Sequence, residues 1–183
     1  MIKGIIKIFS LAFILLFLSS CLTVEKKEYT FQMEDKNSGT LTIKFINILS
    51  MKDDTTDVSE SDFQELVSRY IEGNEIEDDF PRAIIRGKRL FEEEGILCGE
   101  VIIDFYDLAS VGLFQYDENS PFMFNVGSFL DSESFLKTNG RYGGDVMPVV
   151  FWPGSLKTFE LTTYITSPDE KTVSLLSDYN NWQ

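Results

Sequence analysis

The sequence predicts an α+β fold: a mostly antiparallel β-sheet, sandwich- or half-barrel-like, with one amphipathic helix packed on a face. Three observations predict it. Apolar and polar residues alternate over Tyr29–Met33 and again over Leu41–Phe45, the period of half-buried strands. One segment, Phe63, Leu66, Val67, Tyr70 and Ile71, follows a helical period. Branched and aromatic runs, broken by Gly, Pro, Asn and Asp, fill the second half of the chain.

In order, Tyr29, Phe31 and Met33 share one strand face, and Leu41, Ile43 and Phe45 share another. Asp35-Lys36-Asn37-Ser38-Gly39 between them makes a hairpin turn. Asp53 to Asp57 reads as a polar loop. Ser59 with Asp62, or Ser61 with Gln64, is placed to cap the helix that follows, and Gly73 to end it. Phe80-Pro81 and Gly95 are placed to open and close another helix. However, Ile84-Ile85 and Gly87 favour a strand over 82–91, a turn at Glu92–Gly95 and a strand over 96–106. Pro121–Val126, Val146–Trp152 and Thr158–Thr166 read as strands, Ser132–Lys137 as a helical turn, and Thr172–Leu176 as a last short strand.

The N-terminus has its own pattern. Lys3 and Lys7 precede an apolar core over Ile8–Leu18, interrupted by Ser10. That core is shorter than the roughly 20 residues of a comfortable membrane span. A positive start, a short apolar core and small residues before a cut mark a secretory signal. Leu18-Ser19-Ser20-Cys21 resembles the bacterial lipobox, in which the cysteine is lipidated and becomes the first mature residue. The expected organisation is a cleaved signal over 1–20, a lipidated tether over 21–27 and a single domain over 28–183. Several acyl chains on Cys21 give stable anchoring, which one chain does not. The expected address is the cell envelope, and Leu22 favours the outer membrane if the source has two membranes.

Composition excludes much else. Without residues 1–20 the chain carries 14 basic and 30 acidic residues, a net −16. Such a surface repels phosphate backbones, so no nucleic-acid partner is expected. The absence of histidine removes Ser-His and Cys-His nucleophile pairs and His-ligated metals. Once Cys21 carries lipid, Cys98 has no disulfide partner and reads as a small buried hydrophobe.

No motif nominates a catalytic residue, a cofactor or a metal. The acidic stretches 53–62 and 72–79 lack the alternating spacing of a calcium loop. Ser134-Phe135-Leu136-Lys137 matches S-x-x-K in letters but lacks its companion motifs. Asn139–Gly144 is glycine-rich without the lysine of a phosphate loop and reads as a turn. Aromatic residues are 14% of the chain, and Tyr106, Tyr116, Phe122, Tyr142, Trp152 and Phe159 are the candidates for a binding surface or pocket.

Tyr116-Asp117, Pro121–Gly127, Tyr142-Gly143 and Leu156–Leu161 resemble scattered pieces of the macrolide-binding prolyl isomerases. That family's central tryptophan-bearing segment has no counterpart here. The resemblance implies a pocket built from Tyr106, Tyr116, Phe122 and Phe159. The primary expectation is a non-enzymatic envelope module, binding or structural, for a protein, peptide or glycan partner; a degenerate prolyl isomerase is the alternative.

Overall fold

In chain order the strands are β1 (Leu22–Met33), β2 (Gly39–Met51), β3 (Ile84–Glu93), β4 (Ile96–Phe105), β5 (Leu113–Gln115), β6 (Phe122–Asn125), β7 (Ser134–Thr138), β8 (Arg141–Tyr142), β9 (Val149–Trp152), β10 (Thr158–Tyr164) and β11 (Thr172–Ser174). The helices are α1 (Ser59–Glu65), which continues as a π-helix over Leu66–Ile71, α2 (Glu75–Asp79) and α3 (Leu176–Trp182). This is a computed structural model that describes residues 21–52, 56–126 and 133–183. The expected α+β class holds, with antiparallel sheet predominating.

The hairpin β1–β2 organises the larger sheet. Its register is constant from Leu22↔Ser50 to Met33↔Gly39. Asp35 Oδ1 closes the turn by accepting from the backbone N–H of Asn37 (2.9 Å) and Ser38 (3.1 Å). Around the hairpin the strand order is β3-β4-β2-β1-β10-β7, with β11 also on β2. A smaller sheet has the order β5-β6-β9-β8.

Of the tether expected over residues 21–27, residues 22–27 are instead the first part of β1. Leu22 and Val24 pair with Ser50 and Ile48, and Lys26 and Lys27 pair with β10 as well. Val24 is buried, so this segment gains by packing what a free linker would lose to water.

The strands expected over 82–91 and 96–106 form as β3 and β4. Their turn is tighter than Glu92–Gly95: Glu94 (φ 53°) and Gly95 (φ 80°) are the two left-handed residues of a two-residue hairpin loop. Ser132 lies outside the described residues, and Ser134–Thr138 is strand β7 rather than a helical turn. It takes the free edge of β10, and an edge with open hydrogen bonds outweighs weak local preference. Thr172–Ser174 forms the expected last strand, but Leu175 starts a turn into α3, which packs against α1.

The expected helix forms with Phe63, Leu66 and Val67 buried. Its capping differs from expectation. The N-cap position is Val58, whose side chain has no polar group to cap with, and Asp57 Oδ1 instead accepts from the Ser59 N–H at 3.0 Å. Gly73 follows because there is no room for more: an added Cβ would lie 2.5 Å from the Arg69 carbonyl oxygen.

One face of the large sheet is open to water and carries exposed ion pairs such as Arg89–Glu100 (2.7 Å) and Arg86–Asp104 (3.3 Å). The other face is the inner one. Leu97, Val101, Ile103 and Phe105 of β4 run along it and belong to two core clusters. At one end Tyr29, Phe31, Leu41 and Ile43 pack on Phe122, Phe124, Val150 and Trp152 of the small sheet. At the other end Val24, Ile48 and Leu97 pack on Phe63, Leu66, Val67, Leu175 and Tyr179.

Asn47 allows both packings. It has φ 58°, a left-handed value that Asn tolerates better than most residues. It also sits where the neighbour of β2 changes from β4, paired through Phe45, to β11, paired from Leu49. Past it the inward positions change from odd to even, so Ile43, Phe45 and Ile48 all face the same interior. Asn47 Nδ2 donates to Glu25 Oε2 at 3.0 Å and fastens the kink to β1.

A candidate binding groove between the two cores

The two caps on the inner face leave a gap between them. It holds two neighbouring cavities of about 290 and 620 Å³ that share Lys27, Phe45, Tyr70, Ile76 and Val101 as walls. The floor is the sheet face, from Leu22 and Val24 to Tyr29, Leu41 and Ile43. One wall is the helical segment from Leu66 to Pro81; the far wall is Ala109–Gly112 and Phe124. A mostly apolar cleft of this size with a few convergent polar groups is the usual form of a binding site.

The polar groups cluster where Lys27 and Tyr29 leave β1. The Lys27 ammonium donates to Glu133 Oε1 at 2.7 Å, the Tyr29 hydroxyl lies 3.0 Å from both Glu133 oxygens, and Thr163 Oγ1 donates to Oε2 at 2.6 Å. The Glu133 side chain is only 2% exposed. A buried charge needs a partner and further hydrogen bonds, and this carboxylate has both. Its oxygens are already committed, which makes it a positioning group for Lys27 and Tyr29 rather than a base. Burial, followed by the Glu133 charge, pushes the Tyr29 phenol far up, so it stays protonated. On the opposite wall, burial and the neighbouring Glu75 raise the Asp79 carboxyl, while Lys27 draws it down.

The six aromatic candidates do not share a surface. Phe122, Trp152 and Phe159 are core residues: Trp152 and Phe159 stack at 5.1 Å, and Phe122 lies 4.9 Å from Phe159. Asn139 Oδ1 accepts from Trp152 Nε1 at 2.9 Å, which satisfies the indole within the fold. Tyr142 is half-buried and stacks on Phe135 at 4.0 Å. Tyr106 and Tyr116 stand in solvent, 66% and 79% exposed. The expectation of one aromatic platform or pocket is thus corrected. Strand parity sends three rings into the core, while the other sites lie on separate loops and edges. The same geometry removes the pocket that the prolyl-isomerase resemblance implies.

Cys98 is fully buried, as expected. Ser134 and Lys137 lie on a strand, where residues three apart point to opposite faces, so the S-x-x-K letters form no pair. Of the two acidic stretches, Glu75–Asp79 is the short helix α2, and residues 53–55 lie outside the described residues. Among the described residues no group of three acids or cysteines is arranged to hold a metal, and no helix is long and apolar enough to cross a membrane. Leu18, Ser19 and Ser20 lie outside the described residues.

The groove was not foreseen from sequence. Its lining comes from positions that read as core of ordinary strands and of one helix. Only the spacing between the two caps turns them into walls. No family model, no curated protein and no solved structure matches this chain.

Proposed function

We propose that this protein is a bacterial envelope lipoprotein, cut before Cys21 and anchored by lipid on that residue. Its domain is a non-enzymatic binding module for a protein or peptide that presents an apolar segment. In a bacterium with two membranes, Leu22 favours the outer one. The groove is the observation that carries the binding reading. Its mostly apolar walls suit aliphatic or aromatic side chains better than a glycan, whose many hydroxyls each need a donor or acceptor once buried.

The binding test uses an anilinonaphthalene dye and apolar peptides on the purified protein. Ala109 is exposed at the groove mouth, so Ala109→Trp fills the entrance without touching the core. The expected result is at least a tenfold loss of dye and peptide binding at unchanged Tm. Equal binding by the variant and the parent would remove the groove as the site. The anchor is tested separately: Cys21→Ala is expected to abolish acyl labelling and release the protein from membranes.

A further inference from the structure

The fold begins immediately after the lipidation position. Leu22 is already paired with Ser50, and the Met51 N–H donates to the Cys21 carbonyl oxygen at 2.7 Å. Beside them lies Asp62 of α1, 6% exposed. Its Oδ2 accepts from Ser50 Oγ at 2.5 Å, and its carboxylate also accepts from the backbone N–H of Cys21. In the lipidated protein that nitrogen is the mature N-terminus. It offers a hydrogen to a carboxylate as a free ammonium and equally as an N-acyl amide. Near this end two large apolar side chains are exposed: Met51 at 41%, and Trp182 at 48%, which packs on Phe63 next to Asp62. Exposed apolar groups, tryptophan above all, suit the boundary between water and lipid.

We propose that the domain is seated directly on the bilayer, with the Cys21 nitrogen held on Asp62 and the end of the sheet around Met51 facing the lipid. This rests on lipidation of Cys21. A seven-residue free tether would let the domain stand off by more than 20 Å at about 3.3 Å per residue. With β1 paired from Leu22, that slack is absent, and the hairpin turn at Lys36 points away from the membrane. The length of β2, at about 3.4 Å per residue, puts Lys36 on the order of 40 Å from Met51.

The experiment uses the full chain, purified from membranes and reconstituted in phosphatidylcholine vesicles that carry headgroup-nitroxide lipid. In a Trp182→Phe background, where the buried Trp152 remains as a signal common to both variants, a second tryptophan is added as Met51→Trp or as Lys36→Trp. The expected result is quenching at position 51 at least threefold stronger than at position 36. A six-residue Gly-Ser insert between Cys21 and Leu22 abolishes that preference, and Asp62→Ala at least halves it. Equal quenching at the two positions in an acyl-labelled protein would overturn the seat and leave the anchor intact. Absence of acyl label from the wild-type chain would overturn the anchor itself, and this proposal with it.

Discussion

Asp178 carries a cost that its neighbours explain. Its Oδ2 is buried without a hydrogen-bond partner among the described residues. Burial raises its carboxyl above the ordinary 3.8, and the negative charges of Asp57 and Glu60 add to the rise. A carboxyl raised in the folded state contributes stability that is fully present below its unfolded value and is lost as pH rises through its folded one. At neutral pH, ionised Asp178 is therefore a penalty. Asp178→Asn is expected to raise Tm at pH 7, and the gain should vanish as pH falls below about 4. A neutral-pH Tm equal to or below that of the parent in a thermal scan would contradict this account. At the same scale, Cys98 shows what a residue type can announce: a lone thiol with no partner reads as a buried hydrophobe, and it is one. Trp152 shows the reverse. It was a candidate for a binding surface, yet the pairing of β9 with β6 turns it inward, where Asn139 accepts its N–H.

Elements depend on such single positions. Without a left-handed residue at 47, β2 would keep strict alternation, and Ile48 would leave the interior it shares with Phe63 and Leu97. Asn47→Val is expected to destabilise by about 1–2 kcal/mol, the cost of a left-handed conformation for a residue with a Cβ, plus the lost bond to Glu25. Asn47→Gly should retain most of the stability, since Gly adopts that conformation freely. Urea unfolding of the two variants checks the order, and a Gly variant as unstable as the Val variant would refute the backbone explanation. Alternation over Tyr29–Met33 and Leu41–Phe45 made the hairpin legible, as the helical period did for Phe63–Ile71. Short elements were not legible. β5, β7, β8 and α3 are two to seven residues long, and their state is decided by which edge or face lies open beside them.

The large sheet is fastened by side-chain contacts distant in sequence as well as by its backbone pairing. Glu133 joins Lys27 and Tyr29 of β1 to Thr163 of β10. Removing it leaves an ammonium only 18% exposed without its partner. Breaking a buried pair from one side costs about 3–5 kcal/mol, and the partial exposure of Lys27 puts Glu133→Ala near the lower end, about 3 kcal/mol. Chemical denaturation of the variant measures this, and a loss under about 1 kcal/mol would show that the pair is screened like a surface bridge. By itself the sequence determined the fold class, the central hairpin, the main helix and the burial of Cys98, because each rests on local period or residue type. It also carries, in Leu18-Ser19-Ser20-Cys21, the resemblance to a lipobox on which the proposed anchor rests. Only the tertiary structure decided that residues 22–27 are strand rather than tether, that the aromatic rings scatter, and that a groove separates the two cores. Those features depend on which strand edges meet and which faces are covered, and such contacts join residues more than a hundred positions apart, as Lys26 and Tyr164 are, that no local pattern relates.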